Sequence, residues 1–229
     1  MAAARPSETL VTLTMPRAPV SEAYRTLRTN LEFSSLDKPL KTIVVTSPGS
    51  DEGKSTTLAN LAVTLAQAEK TVILVDCDLR RPSQHEIFGL TNEVGLTTMM
   101  VDEQAMKAPP LQDTALPNLS VLTTGPLPPN PSELVGSHRM GEIIAGLSQS
   151  ADVVLFDAPP VIAVTDAAVL ASRVDGVLLV IKAGGTKRDH AQKAKALLDK
   201  VSAHLVGAVL NNVKMDTSYY RYYTEQKRG

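Results

Sequence analysis

The 229-residue chain has no tryptophan, three phenylalanines and one cysteine. A single thiol, Cys77, excludes an internal disulfide, and a reducing cytoplasm fits. Charge of one sign is also lacking. The 23 basic and 24 acidic residues leave a formal net charge of −1, which argues against general nucleic-acid binding. No apolar run approaches the ~20 residues needed to span a bilayer. The N-terminal MAAARPSETL lacks the apolar core of a signal peptide. A membrane role would therefore come through a partner. His190 and His204 have no metal-ligand spacing with Cys77 or with each other, and read as structural or exposed. What is present is an ordinary soluble, globular composition, 43% hydrophobic and 21% charged. The length is more than enough for a sizeable core in a single α/β domain.

One stretch organises the rest: Ile43–Thr57, IVVTSPGSDEGKSTT. A β-branched apolar run, a loop, then Gly53-Lys54-Ser55-Thr56 leading into an Ala-rich segment of helical spacing is the context of a phosphate-binding loop. Successive backbone N–H groups at a helix N-terminus make a concave anion site. Gly49, Ser50, Asp51, Glu52 and Gly53 would form the cradle, and Gly53 lets the backbone approach without a Cβ. Lys54 would place its ammonium on the β- and γ-phosphates, and Ser55 would offer a hydroxyl to Mg²⁺. The loop departs from the standard pattern at Pro48, where a glycine is usual, and in carrying Asp51 and Glu52. A chance Gly-Lys-Ser before a helix is the bland alternative. A dinucleotide loop is a poor rival, because Lys-Ser at the helix start is not its chemistry.

Residues 1–19, with Pro6, Pro16 and Pro19, read as an extended arm or linker, and residues 20–212 as the phosphate-loop domain. Ser21 reads as the N-cap of a helix from Glu22 to about Ser34. On that helix Glu22, Arg25 and Arg28 lie three apart, and spacing alone favours a solvated face with an i,i+3 ion pair. Strands are expected at Lys41–Thr46, in the apolar run before Asp76, at Leu119–Thr123, Asp152–Phe156, Gly176–Ile181 and Leu205–Leu210. Helices are expected at Thr56–Glu69, Arg139–Ser150, Thr165–Ser172 and Lys187–Val201. Residues 89–118 carry few signals. The fold class is thus α/β, a mostly parallel sheet of the P-loop NTPase type with helices on both faces. Asp76 and Asp78 close the second apolar strand. Buried acids there need a cation or a hydrogen-bond network, and ligands bind at the carboxyl ends of such strands. They could instead cap the segment before Arg81-Pro82. Asp157 closes another buried strand, and beside a phosphate loop it reads as a Mg²⁺-holding acid rather than a turn former. Four of the five tyrosines, Tyr219, Tyr220, Tyr222 and Tyr223, crowd the polar tail 213–229. Few aliphatic residues anchor that tail, so acceptor tyrosines compete with a packing patch.

Together these motifs resemble the bacterial tyrosine kinases of capsule and exopolysaccharide assembly. The match rests on SPGSDEGKST, VILVDCDLRRPSQHEIF, GPLPPNPSEL, VVLFDAPPVIAVTDA, the tyrosine cluster and the spacing Glu22-x-x-Arg25-x-x-Arg28. It runs from about residue 20 to the end. The resemblance implies an ATP- and Mg²⁺-dependent kinase that phosphorylates its own tail in trans. It implies Asp76 as general base beside the incoming tyrosine, and Asp78 and Asp157 positioning Mg²⁺ largely through water, with Ser55 a direct ligand. Lys54 and Thr56 would contact phosphates, and Asn211 would lie near adenine. Glu22, Arg25 and Arg28 would form an intersubunit contact in a homo-oligomer, a ring by expectation. The implied partners are a transmembrane activator or polysaccharide co-polymerase that recruits the kinase to the inner face of the plasma membrane, a protein-tyrosine phosphatase, and sugar-nucleotide enzymes as further substrates. Two rivals are a partition or septum-placement ATPase, which usually carries an extra lysine at the loop's start, and a non-catalytic nucleotide-sensing scaffold.

Overall fold

The computed structural model describes residues 7–35 and 39–214. Seven strands are present among them: β1 Thr42–Thr46, β2 Val72–Asp76, β3 Gln112–Asp113, β4 Leu119–Leu122, β5 Val153–Asp157, β6 Gly176–Lys182 and β7 Leu205–Asn211. They form one sheet of order β3-β4-β2-β5-β1-β6-β7, parallel except for the short antiparallel edge strand β3. The helices are α1 Val11–Thr14, α2 Pro19–Phe33, α3 Lys54–Gln67, α4 Gln84–Phe88, α5 Leu96–Val101, α6 Glu103–Lys107, α7 Pro131–Gly136, α8 His138–Ser150, α9 Asp166–Ala171 and α10 Arg188–Lys200.

The apolar runs of β1, β2 and β5 are near-continuous because both faces of the sheet are covered. Alternate residues feed different cores. Ile43, Val45, Val72, Leu74, Leu155 and Leu178 pack with Leu10, Leu31 and the apolar body of α3. Val44, Ile73, Val75, Val154, Phe156 and Leu179 pack with Met140, Ile143 and Leu147 of α8, Leu170 of α9 and Leu198 of α10. The Ala-rich α3 is buried from Thr57 to Ala66, so its small residues fill a narrow space between the sheet and α1–α2.

The chain before α2 differs from the extended arm expected there. From Ser7 onward it packs on the body. Leu10 and Thr12 are fully buried, and Asn60 Oδ1 on α3 accepts from the Thr12 amide and hydroxyl at 3.0 and 2.9 Å. Ser21 is not an N-cap. The helix begins at Pro19 behind Ala18, and Ser21 Oγ instead donates to the Val11 and Met15 carbonyls at 3.1 and 2.7 Å. Pro19 suits the first helical turn, where its missing N–H is no loss. The quiet stretch 89–118 contains α5, α6 and β3, each six residues or shorter, too short to show a period.

Candidate nucleotide and phosphoryl-transfer site

Register assembles the site. β1 lies between β5 and β6, and β2 lies beyond β5. Pairing sets Val45 beside Asp157 and Asp157 beside Asp76. The loop after β1 and the acids that end β2 and β5 therefore meet at one carboxyl edge of the sheet, where α/β folds bind ligands.

The loop turns through two left-handed residues, Asp51 at φ 58° and Gly53 at φ 84°. A Cβ on Gly53 would meet Asn211 Nδ2 at 2.1 Å, so glycine is required there twice over. α3 then starts at Lys54. Ser50, Asp51, Gly53, Lys54, Ser55 and Thr56 line a cleft of about 250 Å³, closed opposite by Asp78, Arg81 and Ser83. Glu52 does not face it. It is buried, and its Oε1 accepts from Thr186 Oγ1 at 2.6 Å. One of the two acids in the loop is thus turned toward the β6–α10 connection and away from the phosphate cradle. Gly49 lies against the Glu52 carboxylate.

Lys54 Nζ sits between two buried carboxylates, 2.9 Å from Asp78 Oδ2 and 3.1 Å from Asp157 Oδ1, and 3.1 Å from Ser55 Oγ. Burial pulls the ammonium toward neutrality, but Asp157 and Asp78 outweigh it and hold Lys54 charged, above its usual range. Asp76 is fully buried. Its Oδ2 accepts from the Ser83 and Gln84 amides, both at 2.9 Å, and its Oδ1 from the Asp78 amide at 3.2 Å. Burial and the Asp157 carboxylate push Asp76 up to about 7 despite these amides. Asp78 lines the cleft, whereas Asp76 lies behind it. Asp78 Oδ1 accepts from the Arg81 amide at 3.0 Å, which folds the chain after β2 around the acids. Two carboxylates, Asp78 and Asp157, hold one ammonium with Asp76 buried behind them, and hard oxygen donors in negative excess suit a Mg²⁺ ion that also takes phosphate oxygens and water.

Asn211, at the end of β7, donates from Nδ2 to the Glu52 carbonyl at 3.0 Å. It borders a cleft of about 550 Å³ with Tyr24, Leu27, Thr57 and Leu210. Glu22, Arg25 and Arg28 lie on α2 away from the acids. Arg25 pairs with Glu22 and donates to the Pro16 carbonyl, while Arg28 Nη1 reaches the Thr64 carbonyl at 2.9 Å. Tyr219, Tyr220, Tyr222 and Tyr223 lie outside the described residues.

Several contributors were not legible in the sequence. Gln84 is fully buried and donates to Asp157 Oδ2 at 2.7 Å and to the Ser55 carbonyl at 3.2 Å. Arg81 and Thr186 join the loop from outside the phosphate-loop motif. Arg80 reaches Asp166 at 3.0 Å, and Ser132 Oγ donates to the same carboxylate at 2.5 Å. That brace ties the β2 acids, the Pro-rich segment and α9 together. The only signal in the sequence was that these residues fall inside long, ordered motifs.

Residues 43–228 match the CobQ/CobB/MinD/ParA nucleotide binding domain. Over 220 residues the chain is 44% identical to tyrosine-protein kinase YwqD of Bacillus subtilis (strain 168), covering 96% of this chain and 92% of that one. The chain belongs to the bacterial tyrosine kinases. It is 41% identical over 212 residues to the putative tyrosine-protein kinase CapB of Staphylococcus aureus, with 92% of each covered. The kinase domain of Escherichia coli tyrosine kinase ETK superposes with a TM-score of 0.87 at 30% identity, over 94% of this chain and 84% of that one. In this tyrosine kinase, no helix among the described residues is long and apolar enough to cross a membrane.

Proposed function

We propose that this kinase transfers the γ-phosphoryl group of ATP to tyrosines of its own tail, Tyr219, Tyr220, Tyr222 and Tyr223, supplied by a neighbouring subunit. The observation that carries the reading is the Lys54 ammonium held at 2.9 and 3.1 Å between Asp78 and Asp157 at the head of α3. It gathers the phosphate loop and both strand-end acids around one point. Phosphoryl transfer asks mainly for positioning and charge stabilisation. The tyrosine oxygen forms a bond to Pγ as the bond from Pγ to the bridging oxygen breaks, ADP leaves, and the phenolic proton passes to a carboxylate. Ser55, Asp78 and Asp157 would hold Mg²⁺, which supplies charge neutralisation at the phosphates. Asp76 is the proton acceptor: register sets it beside Asp157 at the carboxyl edge of the sheet, and burial and that neighbour raise its carboxyl toward the range of a general base. A second reading gives that role to Asp78, which lines the cleft where Asp76 does not.

Fully stretched, the chain from Val213 to Arg221 reaches ~25–30 Å, enough to enter a neighbour's site. Exposed Glu22 and half-buried Arg25 would form the interface that holds neighbours in a ring, with Arg28 beside them on α2 tied to the Thr64 carbonyl of α3. Each added phosphate carries about −2, so several would repel within the ring and loosen it. The role that follows is control of capsular or exopolysaccharide polymerisation and export. A transmembrane co-polymerase would recruit the kinase to the inner face of the plasma membrane, a protein-tyrosine phosphatase would reset it, and sugar-nucleotide enzymes would be further substrates. Asn211 would lie by the adenine.

Mixing full-length Lys54→Met protein with kinase truncated after Lys214 tests transfer in trans. Phosphotyrosine on the Lys54→Met chain is expected. Its absence, when intact kinase labels itself, would sink the trans reading. ATP turnover without phosphotyrosine would favour the partition-type ATPase.

A further inference from the structure

Gln84 is the first residue of α4 and carries none of the roles assigned above. Its side chain is fully buried. Nε2 donates to Asp157 Oδ2 at 2.7 Å and to the Ser55 carbonyl at 3.2 Å. Its backbone amide donates to Asp76 Oδ2 at 2.9 Å. One residue thus touches the loop and two of the three site acids. Its Oε1 has no hydrogen-bond partner although it is buried. A buried amide oxygen left without a donor is costly, and such an orphan calls for an explanation in the site beside it. Lys54 takes Asp157 Oδ1 while Gln84 takes Oδ2, so the two oxygens of one carboxylate are divided between a cation and an amide. An amide bonded to one oxygen fixes the rotation of that carboxylate and leaves the other oxygen turned to Lys54, which lines the cleft. This is how outer-shell groups tune a metal site.

We infer that Gln84 is the positioning residue of the divalent-cation half of the site. Nε2 sets the orientation of Asp157 and anchors Ser55. The inference rests on the proposed Mg²⁺–nucleotide reading. It predicts that Gln84 affects the contribution of Mg²⁺ and leaves the nucleotide's own contacts with the loop amides alone.

The test is binding of the fluorescent nucleotide mant-ADP to the full chain, in EDTA and in excess MgCl₂. Parent, Gln84→Met and Gln84→Asn are compared. Methionine keeps the length and packing of the side chain but has no donor to match. Asparagine keeps both polar groups but withdraws them by about one methylene, so it serves if the methionine variant does not fold. The expected result is an unchanged Kd in EDTA and a ~10-fold or greater loss of the Mg²⁺ enhancement, the range seen for outer-shell partners. A purely structural role would weaken both conditions alike, and that result overturns the inference. So does an enhancement equal to the parent's. A parent that gains nothing from MgCl₂ overturns the cation reading itself, and this inference with it.

Discussion

Replacing Asp76 with asparagine should stabilise the nucleotide-free protein at pH 8 while removing the proposed proton acceptor. Burial first, and the Asp157 carboxylate second, raise the Asp76 carboxyl from 3.8 to about 7. At ~1.4 kcal/mol per pH unit, the ionised form then costs the folded state ~4 kcal/mol at pH 8. Between pH 3.8 and about 7 the folded chain holds a proton that the unfolded chain has lost. Stability that is fully present below 3.8 is therefore lost as pH rises through the folded value, and the loss is complete above it. At pH 5 only ~2 kcal/mol of the loss has accrued. Asparagine never ionises, so its advantage over the parent should grow by ~2–3 kcal/mol between pH 5 and pH 8. The amide oxygen can keep the Ser83 and Gln84 amides, but its NH₂ then meets the Asp78 amide, which Oδ1 accepts at 3.2 Å in the parent. That mismatch costs ~1–3 kcal/mol at either pH and cancels in the difference. Urea unfolding in EDTA measures it. With an m-value of ~2–3 kcal/mol/M, the gap between the two midpoints should widen by ~1 M from pH 5 to pH 8. An equal gap at both pH values would refute a raised Asp76.

Lys54→Met leaves Asp78 and Asp157 unpaired at side-chain exposures of 5% and 0%. Calorimetry should show a loss on the order of 3 kcal/mol, partly restored by MgCl₂. Gly53→Ala forces a left-handed conformation on alanine, worth ~1–2 kcal/mol, and drives a methyl into Asn211. Nucleotide affinity should fall with it, as read by mant-ADP titration. Asp166→Asn weakens the brace to Arg80 and Ser132 at 3.0 and 2.5 Å. It should lower the urea midpoint by an amount worth ~1–2 kcal/mol. Autophosphorylation should persist, because Asp166 does not line the phosphate cleft.

The strands and the phosphate loop were readable because a sheet covered on both faces makes continuous apolar runs, and acids at the ends of such runs are conspicuous. Val72–Asp76 and Val153–Asp157 are of this kind. What escaped was non-local. The bond from Thr12 to Asn60 spans 48 residues, so a stretch with three prolines looked like a free arm. Ser21 has the chemistry of a cap, yet the proline two residues earlier starts the helix and frees the hydroxyl for α1. Glu52 looked like an acid inside an anion cradle, because one residue's turn of backbone, set by left-handed Asp51 and Gly53, decides which way it faces. Gln84 carries no charge and no period. Only the register that brings β2 beside β5 places it on Asp157.

The most direct test is the intact mass of the purified full chain before and after ATP and MgCl₂, with Lys54→Met alongside and an activator segment added in a parallel run. We predict added phosphates that map to Tyr219, Tyr220, Tyr222 and Tyr223, and none on the Lys54→Met protein alone. ATP consumed with no gain in mass, activator included, would contradict a tail-directed tyrosine kinase.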